Sequence, residues 1–253
     1  MLIAVAIGSH ISVAQTADEV VNKYLDAMGG KDKLANLKTL KLACSMEIAP
    51  GMKAPINMFF INNECMRVEV EVQGMKILSA VEGDSGWSIN PMSGKKDAER
   101  MNADEIKESK DQMDLTGALY NYKEKGNTVE LLGKEDMEGT DVYKLKITKK
   151  SGDIEYDYID ASSYLKLKET TTHKFNDKEV SGDVIYSDYR KVGDMMFPYS
   201  MENRQTGESQ GQALLVQSVE VNPSIDRSIF KMPPPQPAAT EEDRKSTRLN
   251  SSH

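Results

Sequence analysis

The chain has 253 residues, a formal net charge of −8 at pH 7 and 39% hydrophobic residues. This acidic balance argues against nucleic-acid binding, which needs a basic face, and against docking on anionic lipid surfaces. The length is sufficient for one β-rich domain with a sizeable core, and we find neither an internal repeat nor a second globular pattern.

The two ends of the chain differ from the rest. Residues 1–14 combine an apolar run with the small residues of Ser12-Val13-Ala14, as in a cleaved export signal that lacks its basic start. We therefore expect Gln15 to begin a periplasmic protein. The run is shorter than the ~18 to 20 residues of a membrane-spanning helix, so we predict no integral membrane segment. Residues 233–242 are expected to form a Pro-rich tail or linker, and residues 243–253, DRKSTRLNSSH, match a translated sequencing adapter and are expected to be non-native.

Residues 15–232 are predicted to form a single, mainly β domain with a few helices. A capping box at Thr16 to Glu19 opens the first helix, Gly29-Gly30 ends it, and a short helical turn follows over 31–37. Apolar and polar residues then alternate, which is typical of half-buried strands. This alternation predicts five strands, over 40–48, 56–61, 66–72, 75–81 and 87–90.

A second capping box interrupts the strands. It begins at Asn102 and opens a polar helix that runs to about Leu115. Turn residues at regular spacings then bound a further series of segments, as in antiparallel β proteins. The predicted strands are 128–133, 142–148, 154–159, 164–173, 180–189, 196–204 and 212–221.

The segment GDSGWSINPMSGK, residues 83–95, resembles the nucleophile loop of chymotrypsin-type serine proteases. That mechanism needs a histidine to take the serine proton. His173 is the single histidine of residues 15–242; it follows Ser85 in the chain and lies among polar strand residues. We therefore interpret residues 83–86 as a turn and His173 as a solvated strand residue. Two cysteines and one histidine, far apart, make no zinc pattern, so we predict no catalytic residue, no metal and no cofactor.

The two cysteines leave two alternatives open. Export would permit a disulfide between Cys44 and Cys65. The predicted strands that carry them are not neighbours in sequence, so we favour two small buried apolar residues.

Four stretches carry a resemblance to a known family: ADEVVNKYLDAMGGKDKLANLKTLK, GWSINPMSG, YSDYRKVGDMMFP and VEVNPSIDRSIFKMP. Their order is similar to that of the LolA/LolB-like superfamily of periplasmic lipoprotein and lipid carriers, and closest to its outer membrane lipoprotein-sorting proteins. The resemblance implies a strongly curved antiparallel sheet, an unclosed, half-open barrel with helices packed in its concave side as a lid. It also implies an apolar cavity for acyl chains, with an acylated lipoprotein or lipid as ligand and a membrane protein as donor or acceptor.

Strand parity then predicts the residues that line the cavity. They are Met46, Ile48, Met58, Phe60, Val68, Val70, Val72, Ile77 and Trp87. Flexible methionines suit variable acyl chains, although filling a core is the more ordinary role of any one of them. For Trp87, packing beneath the hairpin is the favoured alternative. The family's lipoprotein chaperone has a basic residue inside its cavity; Arg67 is the nearest match, but its parity points it to solvent, so we do not transfer that role.

Two functions from different classes remain open. The first is a monomeric periplasmic carrier of lipidated protein or lipid. The second is an envelope regulatory or scaffolding module with the same fold, which senses lipid or binds a protein partner. No constellation of residues supports an enzyme.

Overall fold

The computed structural model describes residues 15–94, 96–175, 178–205, 208 and 210–235, with the backbone alone for residues 173–175 and 178–180. The predicted export signal, the adapter-like end and most of the Pro-rich tail lie outside these ranges. Among the described helices, none combines the length and apolar character needed to span a membrane.

The described residues form three α-helices and thirteen strands. The helices are α1 (Ala17–Ala27), α2 (Lys31–Ala35) and α3 (Ala103–Met113). The strands are β1 (Thr39–Ala49), β2 (Met52–Ile61), β3 (Cys65–Val72), β4 (Met75–Glu82), β5 (Ser85–Ile89), β6 (Glu99–Arg100), β7 (Thr128–Met137), β8 (Thr140–Thr148), β9 (Ile154–Asp160), β10 (Lys166–Phe175), β11 (Lys178–Val192), β12 (Met195–Gln205) and β13 (Gln212–Val221). Two 3₁₀ helices, Pro91–Ser93 and Arg227–Phe230, complete the structure.

All thirteen strands belong to one antiparallel sheet in the order β6-β5-β4-β3-β2-β1-β13-β12-β11-β10-β9-β8-β7. The first and last long strands, β1 and β13, pair in the middle. The sheet curves around the helices but does not close, because β6 and β7 remain as its two edges. We call β2–β6 the first arm and β7–β12 the second arm. The mainly β, half-open architecture expected from the sequence is confirmed.

Helix α1 forms where its capping box predicts and lies on one face of the sheet, which we call the inner face. The Thr16 side chain accepts a hydrogen bond from the Glu19 amide, and the Glu19 carboxylate accepts one from the Thr16 amide. The apolar stripe Val20, Val21 and Leu25 is buried against inner residues of both arms. Because such a stripe must be shielded from water, this contact makes α1 part of the main core.

The main core also includes both arms of the sheet. Phe60 and Met66 come from the first arm, and Leu145, Ile147 and Ile159 come from the second. The turn after α1 approaches the β11–β12 hairpin so closely that a Cβ on Gly29 would lie 2.7 Å from the Asp194 carbonyl oxygen. Glycine is therefore required here for a close approach as well as for its positive φ of 125°.

On the opposite, outer face, a C-terminal segment, residues 225–231, covers part of the first arm. The Trp87 indole donates a hydrogen bond to the Phe230 carbonyl oxygen at 2.8 Å, and both residues are buried in a small cluster with Cys65. Arg227 reaches Glu64 and Glu82, at 2.6 and 3.2 Å. The chain therefore returns from the middle of the sheet to the outer face of β3–β5.

Every predicted strand is present, with differences at the ends. Strand β2 begins at Met52 because Pro50-Gly51 makes the preceding turn tight. The short edge strand β6 and the 3₁₀ helices were not predicted. Of the predicted turn over residues 83–86, Gly83 and Asp84 form the turn, whereas Ser85 begins β5 with an exposed side chain. His173 lies in β10, and its side chain is outside the described part of the chain.

The cysteines are confirmed as unpaired, buried residues. Cys44 lies on the inner face with Ile56 and Val216, whereas Cys65 lies on the outer face beside Trp87. Residues on opposite faces of a sheet cannot form a disulfide without backbone movement. Burial raises the pKa of the Cys44 thiol to about 11, as expected of an inert apolar residue.

Candidate functional site: an open apolar surface on the inner face

The inner face carries an apolar surface beyond the main core. Three of its residues are buried and the others are half-buried. They are Leu42, Cys44, Met46, Ile56, Met58, Val68, Val70, Tyr199, Met201, Leu214, Val216 and Val219. We call this set the open apolar surface. Contiguous apolar surface that keeps access to water is characteristic of a binding site for an apolar ligand or partner.

Antiparallel register brings these residues together from five strands. Met46 of β1 lies opposite Leu214 of β13, which in turn lies opposite Met201 of β12. On the other side, Met58 of β2 lies opposite Val68 of β3. Directly opposed residues share a face of the sheet, so each pair extends the surface by one strand.

Several of the residues predicted to line a cavity lie on this surface. Met46, Met58, Val68 and Val70 are all members of it. Ile77 lies directly opposite Val70 and therefore continues the same face into β4. The structure brings these predicted residues together.

Two further predicted residues, Phe60 and Val72, lie at its margins, and a third, Ile48, has no strand pairing that fixes its face. Phe60 is 4% exposed and belongs to the main core beneath the helices. Val72, opposite Met75, is also buried and shares the parity of Val70. Ile48 is half-buried and lies within the register shift between Glu47 and Ala49, where it has no paired residue.

Trp87 does not belong to this surface, and its predicted place in the lining is corrected. It lies opposite Ala80 on the outer face, is 3% exposed, and packs against Phe230.

Arg67 shares the outer face, as parity predicts, but it is not free in solvent. Its guanidinium pairs with Glu69 at 2.7 Å and donates to the Ile229 carbonyl oxygen at 2.5 Å. The C-terminal segment covers both Arg67 and Trp87, and the periodicity of the sequence does not predict this contact.

Most of the surface residues that were not predicted come from β12 and β13, and the others are Leu42, Cys44 and Ile56 of β1 and β2. Tyr199 and Met201 alternate with Ser200 and Glu202, and this alternation was a usable signal. Leu214 and Val216 lie in an apolar run over 213–216, where alternation does not indicate a face. What the sequence does not reveal is that β13 pairs with β1. That pairing puts the last strands beside the first, and so makes them part of one surface.

A buried charged cluster adjoins the open apolar surface on the second arm. The Lys166 ammonium lies 2.8 Å from carboxylate oxygens of Asp157 and Glu169 and 3.5 Å from Glu155. Tyr186, which lies opposite Met201 of the apolar surface, donates a hydrogen bond to Glu169. The inner face of the second arm therefore carries this charged cluster beside apolar residues of the main core.

A β-bulge explains how a lysine enters this cluster. The register between β10 and β9 shifts between Lys166 and Lys168, which leaves one extra residue in β10. Such an insertion redirects side chains locally. Lys166 is consequently 9% exposed among inner residues, whereas Lys168 pairs with Asp183 at 2.9 Å.

The charges of the cluster compensate one another. Burial alone would lower the pKa of Lys166, but the carboxylates of Asp157, Glu169 and Glu155 outweigh burial and hold this pKa well above its usual range. Burial raises the pKa of Asp157, and the nearby Glu155 and Glu169 reinforce this rise against the pull of Lys166. The three carboxylates could in principle hold a metal ion, but the ammonium already lies among them. We interpret the cluster as a structural one.

Two open depressions lie away from the apolar surface. The larger, about 510 Å³, lies between α2 and the β11–β12 hairpin and is bordered by Lys33 and Asp194. The other, about 420 Å³, is bordered by Lys53 and Leu215. Neither is lined by a residue predicted to contact a ligand.

Solved structures share this architecture. A DUF1329 family protein from Desulfovibrio piger aligns at a TM-score of 0.57 and 14% identity, over 86% of this chain and 98% of its own. A LolA superfamily protein from Nitrosomonas europaea aligns at a TM-score of 0.54 and 15% identity, again over 86% and 98%. The chain has a LolA-like fold.

A third structure supports the same conclusion for the LolA-like fold. An outer membrane lipoprotein-sorting protein domain from Vibrio parahaemolyticus aligns at a TM-score of 0.51 and 13% identity, over 84% of this chain and 94% of its own. None of the three is described as an enzyme. No family model and no curated protein matches the sequence. Identities this low establish the fold alone, so function depends on the inner face itself.

Proposed function

We propose that this protein is a soluble periplasmic carrier that binds the acyl chains of lipids or lipoproteins on its open apolar surface. The single observation that carries the proposal is the contiguous, half-buried apolar surface formed by β1, β2, β3, β12 and β13. The LolA-like fold and the description of one similar structure as lipoprotein-sorting support this choice of ligand.

The chemistry of the surface suits acyl chains. Each CH₂ group removed from water contributes roughly 0.8 kcal/mol before the costs of binding, so an acyl chain needs few polar contacts. Met46, Met58 and Met201 supply flexible, polarisable side chains that adapt to chains of different shape. Selectivity for one chain length is not expected from such a surface.

Two adjacent residues of β13 provide a matched test. Leu214 belongs to the open apolar surface, whereas Leu215 faces outward and is 42% exposed. Residues 15–242 are expressed through a bacterial periplasm, and bound lipid is measured by native mass spectrometry and lipid extraction. We expect co-purified lipid in the wild type and in Leu215→Glu, and a strong loss in Leu214→Glu.

Circular dichroism of both variants controls for folding. A wild-type protein that remains ligand-free when phospholipid and acylated peptide are added would contradict the carrier function. It would direct the search to a protein partner, as the regulatory or scaffolding alternative requires. Equal lipid loss in both folded variants would mean that lipid binds elsewhere on the protein.

A further inference from the structure

Helix α3 lies between the two arms of the unclosed sheet and contacts both. On the first arm it is held by the backbone and by apolar packing. The Met113 carbonyl oxygen accepts a hydrogen bond from the Asn63 amide, and the Met101 amide before the helix donates to the Gly86 carbonyl oxygen. A Cβ on Gly86 would lie 2.7 Å from Met101 Sδ and 3.3 Å from Ile106. These contacts make α3 a fixed part of the first arm.

On the second arm, α3 meets the β8–β9 turn through charged side chains. The Lys107 ammonium lies 3.5 Å from Asp153, and the Asp111 carboxylate lies 3.8 Å from the Lys149 ammonium. Lys149 also pairs with Glu155 of the buried charged cluster at 3.0 Å. The helix therefore reaches across the gap in the sheet to a turn that is itself anchored in the second arm.

The two kinds of contact differ in strength. Lys107 and Asp111 on α3 keep 53% and 58% of their side-chain surface exposed, whereas Asp153 and Lys149 on the second arm keep 17% and 23%. An ion pair with one exposed partner is weak individually and is screened by salt, whereas buried apolar and backbone contacts are not sensitive to salt in this way. Separation is therefore expected between α3 and the second arm rather than between α3 and the first.

We propose that the Lys107–Asp153 and Asp111–Lys149 pairs form an ionic clasp that holds the two arms together and opens to widen access to the inner face. Sheet edges are normally closed by strand pairing or covered. Here α1 and the main core join the arms on the inner face, and the two ion pairs add a second link through α3. A role of the clasp in lipid entry rests on the proposed function. Its role in holding the arms together is independent of that function.

The distance between the arms tests the clasp without any ligand. Spin labels are attached at Ser85→Cys on β5 and Thr128→Cys on β7, both exposed positions. Cys44 and Cys65 are 1% and 0% exposed, so labelling under native conditions is directed to the introduced thiols, and the wild type serves as the labelling blank. The distribution of distances between the two spin labels is measured by pulsed electron paramagnetic resonance. It is measured at low salt and at about 1 M salt, where the Debye length is about 3 Å.

We expect Lys107→Gln with Asp111→Asn to shift the distribution to longer distances, and high salt to do the same in the parent protein. Lys110→Gln is the matched control. It removes a lysine from the same helix, but one that pairs with Asp84 on the first arm, where the backbone already holds α3. This variant should leave the distances unchanged.

A charge exchange completes the test. Lys107→Glu combined with Asp153→Lys re-forms one ion pair with reversed signs. This variant should therefore show the short distances of the parent protein and not the longer distances of the Lys107→Gln, Asp111→Asn variant. Identical distributions in the parent, the double variant and the high-salt sample would overturn the proposal. An equal shift in Lys110→Gln would also overturn it, since it would show a general loosening of α3. Either of these two results would overturn the clasp without changing the outcome expected in the lipid-binding test.

Discussion

Single residues on the two faces of one strand have separate roles in this protein. Trp87 shows this at β5, where its ring is buried on the outer face and its indole N–H bonds the Phe230 carbonyl oxygen. A buried carbonyl that loses its donor retains the cost of its lost hydration. Trp87 therefore contributes to stability rather than to ligand binding.

We predict that Trp87→Phe lowers the free energy of unfolding by about 1–3 kcal/mol through loss of this bond and of packing volume. Urea unfolding followed by far-UV circular dichroism measures the change. Lipid content should remain that of the wild type, because the substitution lies on the outer face. A variant of unchanged stability that has lost its lipid would show instead that Trp87 contacts the ligand.

Sequence periodicity locates inner residues well where strands are regular. Met46, Met58, Val68 and Val70 were predicted from alternation alone, and they lie on one surface. Alternation fails at Lys166, where a single extra residue redirects the side chain and a buried charged cluster results. A one-residue bulge inverts which face each later residue occupies, and the position of that inversion is set by the strand pairing, not by local alternation.

At the scale of elements, the C-terminal segment is held to the first arm by charges around Glu82. Lys231 and Arg227 bond this carboxylate at 2.6 and 3.2 Å. These hydrogen bonds, that of Lys231 foremost, lower the pKa of Glu82 from its ordinary 4.5. A lowered carboxyl pKa stabilises the docked state above the ordinary pKa, and this stabilisation is lost as the pH falls through the lowered value. The segment should therefore loosen below about pH 4.5.

The single tryptophan of the chain reports on this loosening, since Trp87 packs against the segment. We expect its emission to shift to longer wavelength in acid before the far-UV circular dichroism changes. Glu82→Gln should show part of that shift already at pH 7. If both signals change at one pH in the wild type, and Glu82→Gln behaves as the wild type at pH 7, the segment is not held by Glu82.

The docking of this segment could not be predicted from sequence. Residues 225–231 carry no periodic pattern, and their partners Glu64, Glu82 and Trp87 lie more than a hundred residues earlier in the chain. The strands and helices themselves were predictable, because capping boxes and alternation are local signals. Contacts that join distant segments depend on the finished fold instead.

At the scale of the whole molecule, the unclosed sheet has two consequences. Its edges do not pair, so α3 and α1 join the arms across the inner face. Part of that face also remains uncovered, and it is there that the half-buried residues of the open apolar surface lie. A closed barrel of the same strands would have enclosed this surface in its interior.

The measurement that tests the carrier function most directly is photo-crosslinking with a fatty acid whose acyl chain carries a diazirine. Tandem mass spectrometry then locates each modified residue in the folded protein. We predict modification within the open apolar surface, at residues such as Met46, Val70, Met201 and Leu214, with Leu215 and the Trp87–Phe230 cluster unmodified. Modification confined to the outer face, or spread equally over both faces, would contradict a carrier that holds acyl chains on its inner face.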